Sequence, residues 1–117
     1  MPNPKVLVIV TGDPRISPRP AEAVRIAAGV GAWKKVDVTL YLRDAAVLAL
    51  GEFVDDLVDE DNFTRYLPIA AEGGRPIYVQ QGSPQLGELG EPALKFQELS
   101  DDDLADLAAN STYVVRF

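Results

Sequence analysis

The side chains most often used in catalysis are missing from this chain, whose 117 residues include no cysteine and no histidine. Their absence excludes a thiol nucleophile, a disulfide, a zinc site built from Cys and His, and imidazole acid–base catalysis. A chemical step would therefore need a carboxylate, Tyr, Lys, Ser or a bound cofactor. No motif in the sequence implies a cofactor or a metal, so we expect neither, and an enzyme is the less favoured class of function.

The most suggestive polar side chains directly follow three hydrophobic segments. Ligands of open α/β sheets bind outside the carboxyl ends of the strands, and arginine side chains near a helix N-terminus suit a phosphate or a carboxylate. These residues therefore predict a candidate ligand site, although the favoured interpretation is that they are ordinary loop residues paired with nearby acids. The candidate residues are Asp13, Arg15, Arg19, Arg43, Gln80, Gln81 and Ser83.

Three other patterns are better explained without a site. Gly12-Asp13-Pro14 has the spacing of neither phosphate-binding glycine loop. The acidic residues between 55 and 61 miss the spacing of a calcium loop and indicate a solvated surface, and residues 101–103 fit the acidic first turn of a helix. A phospho-receiver domain needs a lysine at the end of its last strand, where this chain has Val115-Arg116-Phe117.

The charge balance narrows the possible partners. The chain has 18 Asp and Glu against 11 Lys and Arg, a net charge of −7, which argues against nucleic acid and anionic membranes as partners. Its unbroken apolar runs, residues 6–10 and 45–50, fall far short of the roughly 20 residues that span a bilayer. The first residues lack the apolar stretch of a signal peptide, so we expect a cytoplasmic protein. The length fits one domain over residues 1–117.

Alternating strand and helix patterns position these residues. Strands are predicted at residues 5–11, 36–42, 77–80, 94–99 and 112–117, and helices from about Pro20, at 45–50, at 63–70 and after Ser100. This order predicts an α/β fold of three layers, α/β/α, with a mostly parallel five-stranded sheet.

Several local features give finer predictions. The strict alternation of residues 36–42 favours a place nearer the edge of the sheet. Trp33 continues the apolar face of the first helix and is predicted to lie in the core rather than at an oligomer contact. Pro68 is expected to kink or restart its helix. Asp44 and Ser100 are predicted N-caps, and Asp103 lies at the third position of an approximate capping box.

The same segments resemble the small DsrE/DsrF-like sulfur-relay family, which has the YchN-like fold. The resemblance covers nearly the whole chain and consists of residue classes rather than of an invariant signature. The matching segments are residues 5–14 (KVLVIVTGDP), 38–42 (VTLYL), 44–50 (DAAVLAL), 77–79 (IYV), 104–108 (LADLA) and 113–115 (YVV).

The resemblance implies a compact subunit that assembles into trimers or hexamers, of one chain or of related subunits. Active members carry a persulfide on a cysteine in the loop after the third strand, where this chain reads Gln80-Gln81-Gly82-Ser83-Pro84. Neither a hydroxyl nor an amide can take the place of the thiolate in sulfur exchange at neutral pH. We therefore expect a non-catalytic oligomeric subunit or partner-binding protein without sulfurtransferase activity. The alternative is a small-ligand binding module, or a cofactor-dependent enzyme, that uses the strand-end cleft.

Overall fold

A computed structural model of the chain describes residues 3–117 and contains five strands, three α-helices and three short 3₁₀ helices. The strands are β1 (Lys5–Val10), β2 (Asp37–Leu42), β3 (Ile77–Gln80), β4 (Gln97–Leu99) and β5 (Tyr113–Arg116). The α-helices are α1 (Arg19–Ala32), α2 (Glu60–Ala70) and α3 (Asp101–Ala109). The 3₁₀ helices span Asp44–Leu50, Glu72–Gly74 and Pro84–Glu88.

The five strands form one sheet in the order β4-β3-β2-β1-β5, and every neighbouring pair is parallel. The predicted α/β class and five-stranded sheet are confirmed. The prediction that the second strand lies near an edge is wrong, because β2 is the central strand. Along the face of β2 that carries the alternating polar residues, Asp37 is exposed and Thr39 partly buried, but Tyr41 is fully buried under α3.

Two apolar cores lie on opposite faces of the sheet. On one face the side chains of β1, β2 and β3 pack against α1, α2 and the first 3₁₀ helix. On the other face Leu7, Ile9 and Tyr41 pack against Leu104 and Leu107 of α3. Helices thus cover both faces, which confirms the three-layer arrangement. Within residues 3–117, no helix combines the length and the apolar character needed to cross a bilayer.

Two local predictions concern the helices: that Trp33 is buried, which is wrong, and that Pro68 kinks or restarts its helix. Trp33 is 74% exposed rather than buried, because the buried face of α1 is centred on Val24, Ala27 and Ala28 and ends at Gly31. Pro68 lies inside α2, which continues to Ala70. In the final turn a proline removes only one late hydrogen bond, so the helix does not restart there.

Arg75, two residues before β3, contacts the C-terminal parts of both α1 and α2. Its guanidinium donates hydrogen bonds to the carbonyl oxygens of Ile69 (2.8 Å) and Glu72 (2.9 Å), which caps the C-terminal end of α2. The guanidinium also lies against the backbone of Gly31 in α1, where any Cβ atom would overlap its Nη1. Gly31 therefore allows a close approach that no larger residue permits.

Candidate functional site

All five strands point the same way, so the loops that follow them meet at one end of the sheet, here called the carboxyl end. These loops are residues 11–18 after β1, the turn at Arg43 and Asp44 after β2, and residues 81–83 after β3. The N-terminus of α3 lies beside them, since Arg43 contacts its first residue, Asp101. The predicted site residues therefore share one end of the molecule.

The first of the predicted arginines is paired within its own loop. The guanidinium of Arg15 donates to both carboxylate oxygens of Asp13, with Nη2 at 2.9 Å from Oδ2. The backbone N–H of Arg15 also donates to Asp13 Oδ1 at 2.9 Å. These hydrogen bonds from Arg15 favour the charged carboxylate and lower the pKa of Asp13, and the same pairing raises the pKa of Arg15. Asp13 and Arg15 thus form a local ion pair that shapes the loop before α1.

Arg43 makes a longer-range pair. Its Nη1 donates to Asp101 Oδ1 at 2.9 Å and to the Tyr41 hydroxyl at 3.2 Å. The hydrogen bond to Asp101 is the main cause of a raised pKa for Arg43. Asp101 is the first residue of α3 and Tyr41 belongs to β2. These two hydrogen bonds of Arg43 therefore connect the start of α3 to the sheet. The remaining arginine, Arg19, lies 5.8 Å from the centre of the Phe117 ring, within the range of a cation–π contact.

The loop after β3 is held by its own polar groups. Gln80 Oε1 accepts a hydrogen bond from the Asp44 backbone N–H at 3.1 Å, while Asp44 has a left-handed φ of 55° and makes no side-chain cap. The predicted N-cap at Asp44 is therefore wrong, since the amide of Gln80 stabilises this turn instead. Ser83 is 5% exposed, and its hydroxyl donates to Gln85 Oε1 at 2.7 Å.

Gln81 and Gly82 complete that loop. The Gln81 side chain is exposed, and its backbone N–H donates to Leu99 O at 2.9 Å. Gly82 takes a left-handed φ of 70°, and its N–H donates to the Glu98 carboxylate. The loop therefore presents amides and a buried hydroxyl, none of which is a nucleophile activated by a neighbouring base.

The predicted residues thus share one end of the sheet but divide into separate contacts. Arg43 and Gln80 are brought together through Asp44, whereas Arg15 pairs with Asp13 and Arg19 lies over Phe117. An anion would compete with Asp13 for Arg15 and with Asp101 for Arg43. Ligand binding at this end stays a prediction. Within residues 3–117, no group of three or more acidic side chains is arranged to hold a metal ion.

The opposite end of the sheet, here called the amino end, was missed by sequence reasoning. A basic side chain lies before or at the start of four strands, and the exposed Trp33 directly precedes Lys34. Two cavities open there, of about 390 and 500 Å³, and both are lined by Arg75. The signal was present in the sequence, because every lysine lies within three residues of a strand start. The basic side chains are Lys5, Lys34, Lys35, Arg75 and Lys95.

The outer strand β5 is exposed along its whole length. Tyr113, Val114 and Val115 are 63%, 41% and 40% exposed. The N–H of Phe117 donates to Ile9 O and its carbonyl accepts from Thr11 N, so both groups face β1. Because these directions alternate along a parallel strand, the N–H and C=O groups of Val114 and Arg116 face away from the sheet. A free strand edge with apolar side chains is suited to pairing with another chain.

The fold and the loop after β3 define the class: a three-layer α/β protein with an all-parallel five-stranded sheet and no cysteine in that loop. The structure is similar to the crystal structure of the ychN protein from E. coli, with a TM-score of 0.79 and 18% sequence identity. The match covers 97% of this chain and 99% of that chain. The predicted YchN-like fold is thereby confirmed. No protein-family model matches the sequence, and no curated protein matches it.

Proposed function

We propose that this protein is a self-assembling, non-catalytic subunit of the DsrE/DsrF-like family, without sulfurtransferase activity. In this proposal it acts in the cytoplasm as a trimer or hexamer, of this chain alone or with related subunits. The confirmed YchN-like fold supports the family, and the composition of the loop after β3 supports the lack of sulfur transfer.

The observation that carries self-assembly is the exposed edge of β5. Natural proteins protect a free edge with charges, prolines, bulges or a covering segment. Here the strand reads Tyr113-Val114-Val115-Arg116, with one charge at its end and backbone groups free on its outer side. Pairing with another chain would satisfy those backbone groups and cover the apolar side chains together.

The absence of sulfur transfer follows from the chemistry of the loop. Sulfur exchange requires a thiolate that accepts a sulfur atom and then yields it to another thiol. The Gln80 amide is hydrogen-bonded to the Asp44 turn, and the Ser83 hydroxyl is buried against Gln85. Neither group provides a polarisable sulfur nucleophile, so this loop has a structural role in the proposal.

The test of self-assembly is the mass in solution, by sedimentation velocity over a range of protein concentrations. We expect a defined oligomer for the wild type and a smaller species for Val115→Lys, which places a charge on the β5 edge. Ala105→Lys adds the same charge at an exposed position of α3 and should leave the mass unchanged. A wild type that stays monomeric at every concentration would overturn the proposal.

The test of the lacking sulfur transfer is incubation with a small-molecule persulfide followed by intact-mass spectrometry. We expect no gain of a sulfur atom by the wild type. A Gln81→Cys variant, which places a thiol at an exposed position of the same loop, serves as the control that the assay detects sulfur uptake. Stable sulfur loading of the wild type would contradict this part of the proposal.

A further inference from the structure

The lysines of this acidic protein are gathered at one end of the sheet. All four lysines of the sequence lie at the amino end, because the parallel strands all begin there. Lys5 opens β1, Lys34 and Lys35 precede β2, and Lys95 precedes β4. Among residues 3–117 no lysine forms an ion pair with a carboxylate. These four charges are exposed and available to a partner.

The amino end also offers apolar surface beside its charges. Trp33 is 74% exposed and directly precedes Lys34. The cavity of about 390 Å³ is lined in part by Ile77, Leu94 and Phe96, with Lys95 at its wall. The surface therefore combines lysines, an exposed indole and an apolar recess. A partner that fits it carries carboxylates together with an aromatic or aliphatic side chain.

A segment of that chemistry lies in the same chain, next to the loop that follows β1 at the carboxyl end of the sheet. The acidic loop, residues 53–61, contains five carboxylates and no basic residue. It begins with Phe53, which is 81% exposed, and continues with Val54, Asp55 and Asp56. The N–H of Val58 donates to Pro14 O at 2.8 Å, which fixes this loop against the loop that follows β1. The acidic loop thus presents an aromatic side chain and adjacent carboxylates on an anchored support.

We propose that the acidic loop of one copy docks on the lysine-bearing amino end of a second copy. Lys34 and Lys35 meet Asp55 and Asp56 in this contact, and Phe53 enters the apolar recess beside Lys95. This inference rests on the proposed self-assembly and specifies one of its contacts. It is separate from the β5 edge, which lies at the side of the sheet.

The direction of the strands determines the symmetry of this contact. The acidic loop is fixed at Val58 to the loop that follows β1, whereas Lys34 and Lys35 precede β2 at the opposite end of the sheet, so the charges of the two surfaces meet only between copies. A contact between different surfaces of identical chains is heterologous, and such contacts close into rings or grow into open chains. Opposite charges steer the approach and align the two copies, while the apolar recess excludes water from the centre of the contact.

The test uses charge reversal on each surface in the full-length chain. One variant carries Lys34→Glu and Lys35→Glu, and the other carries Asp55→Lys and Asp56→Lys. All four positions are exposed, so both variants should fold. We expect each variant alone to associate about tenfold more weakly than the wild type, and the equimolar mixture to recover assembly, because opposite charges then face each other again.

Sedimentation velocity of the wild type, of each double variant and of the equimolar mixture distinguishes the possible outcomes. Arg65→Glu reverses an exposed charge on α2, outside both surfaces, and should match the wild type. If both double variants keep the wild-type mass and affinity, the proposed contact is wrong while self-assembly stands. If each variant dissociates but the mixture does not recover, the pairing of these two surfaces is wrong. A wild type that is monomeric throughout overturns both proposals.

Discussion

Two glycines of α1 should respond to the same substitution in opposite directions. Gly29 has nothing within 4 Å of the place a Cβ would occupy, whereas a Cβ on Gly31 would overlap the Arg75 guanidinium. Alanine in a helix is favoured over glycine by roughly 0.5–1 kcal/mol. We therefore expect Gly29→Ala to raise the free energy of unfolding by about that amount.

In Gly31→Ala the gain in helix stability from alanine is opposed by the displacement of the Arg75 guanidinium. The guanidinium would have to leave Ile69 O or Glu72 O, and a hydrogen bond from a charged group contributes about 1.5–3 kcal/mol. Arg75 is partly exposed, so water recovers some of that loss. After the helix gain is subtracted, we expect Gly31→Ala to lower the free energy of unfolding by about 1–2 kcal/mol.

Urea denaturation at one fixed protein concentration measures both effects, since assembly adds stability that depends on concentration. With an m-value of about 2 kcal/mol/M, the midpoint of Gly31→Ala should fall by roughly 0.5–1 M. In an Arg75→Ala background the clash is absent, and Gly31→Ala should then stabilise as Gly29→Ala does. The predicted clash with Arg75 is absent if Gly31→Ala stabilises the wild type, or if it still destabilises the Arg75→Ala protein.

Three further outcomes are expected. Ser100→Ala should lower the free energy of unfolding by about 1 kcal/mol in urea denaturation, because Ser100 Oγ accepts the N–H of Asp103 at the start of α3. The lowered pKa of Asp13 gives stability that is present above about pH 4 and lost as the pH falls, so Asp13→Asn should lose less stability on acidification, measured by thermal unfolding from pH 6 to pH 2. If the carboxyl end binds a phosphate or a carboxylate, the thermal stabilisation by that ligand should vanish in Arg15→Ala or Arg43→Ala, and no response to a broad panel would leave these arginines with only their structural pairs.

Much of the architecture could be predicted from local patterns. The β-branched run of β1, the period of α1 and the capping pattern at Ser100 each depend on neighbours within a few residues, and the structure confirms these elements. The placement of Trp33 and of β2 could not be predicted in this way. The apolar face of α1 is broad, and only packing against α2 and the sheet decides which residues lie beneath it.

The candidate site could likewise be predicted only in part from the sequence. The sequence placed its residues after strands, and the parallel sheet brings them to one end. The contact of Arg43 with Asp101 joins residues 58 positions apart, and the hydrogen bond that the Asp44 N–H donates to Gln80 joins residues 36 positions apart. No pattern of neighbouring residues predicts such partners, because each depends on how the loops meet after the sheet has formed.

The sequence by itself determined two properties of this protein: the alternating α/β order, and the absence of a thiol from the loop in which the resembling family carries sulfur. Both depend only on residue identity and short-range period. The tertiary structure alone decided that Arg15 and Arg43 pair with carboxylates and that β5 leaves a free edge. The physical reason is that charge pairing and burial act between residues that are close in space, and parallel strands bring distant segments of the chain together.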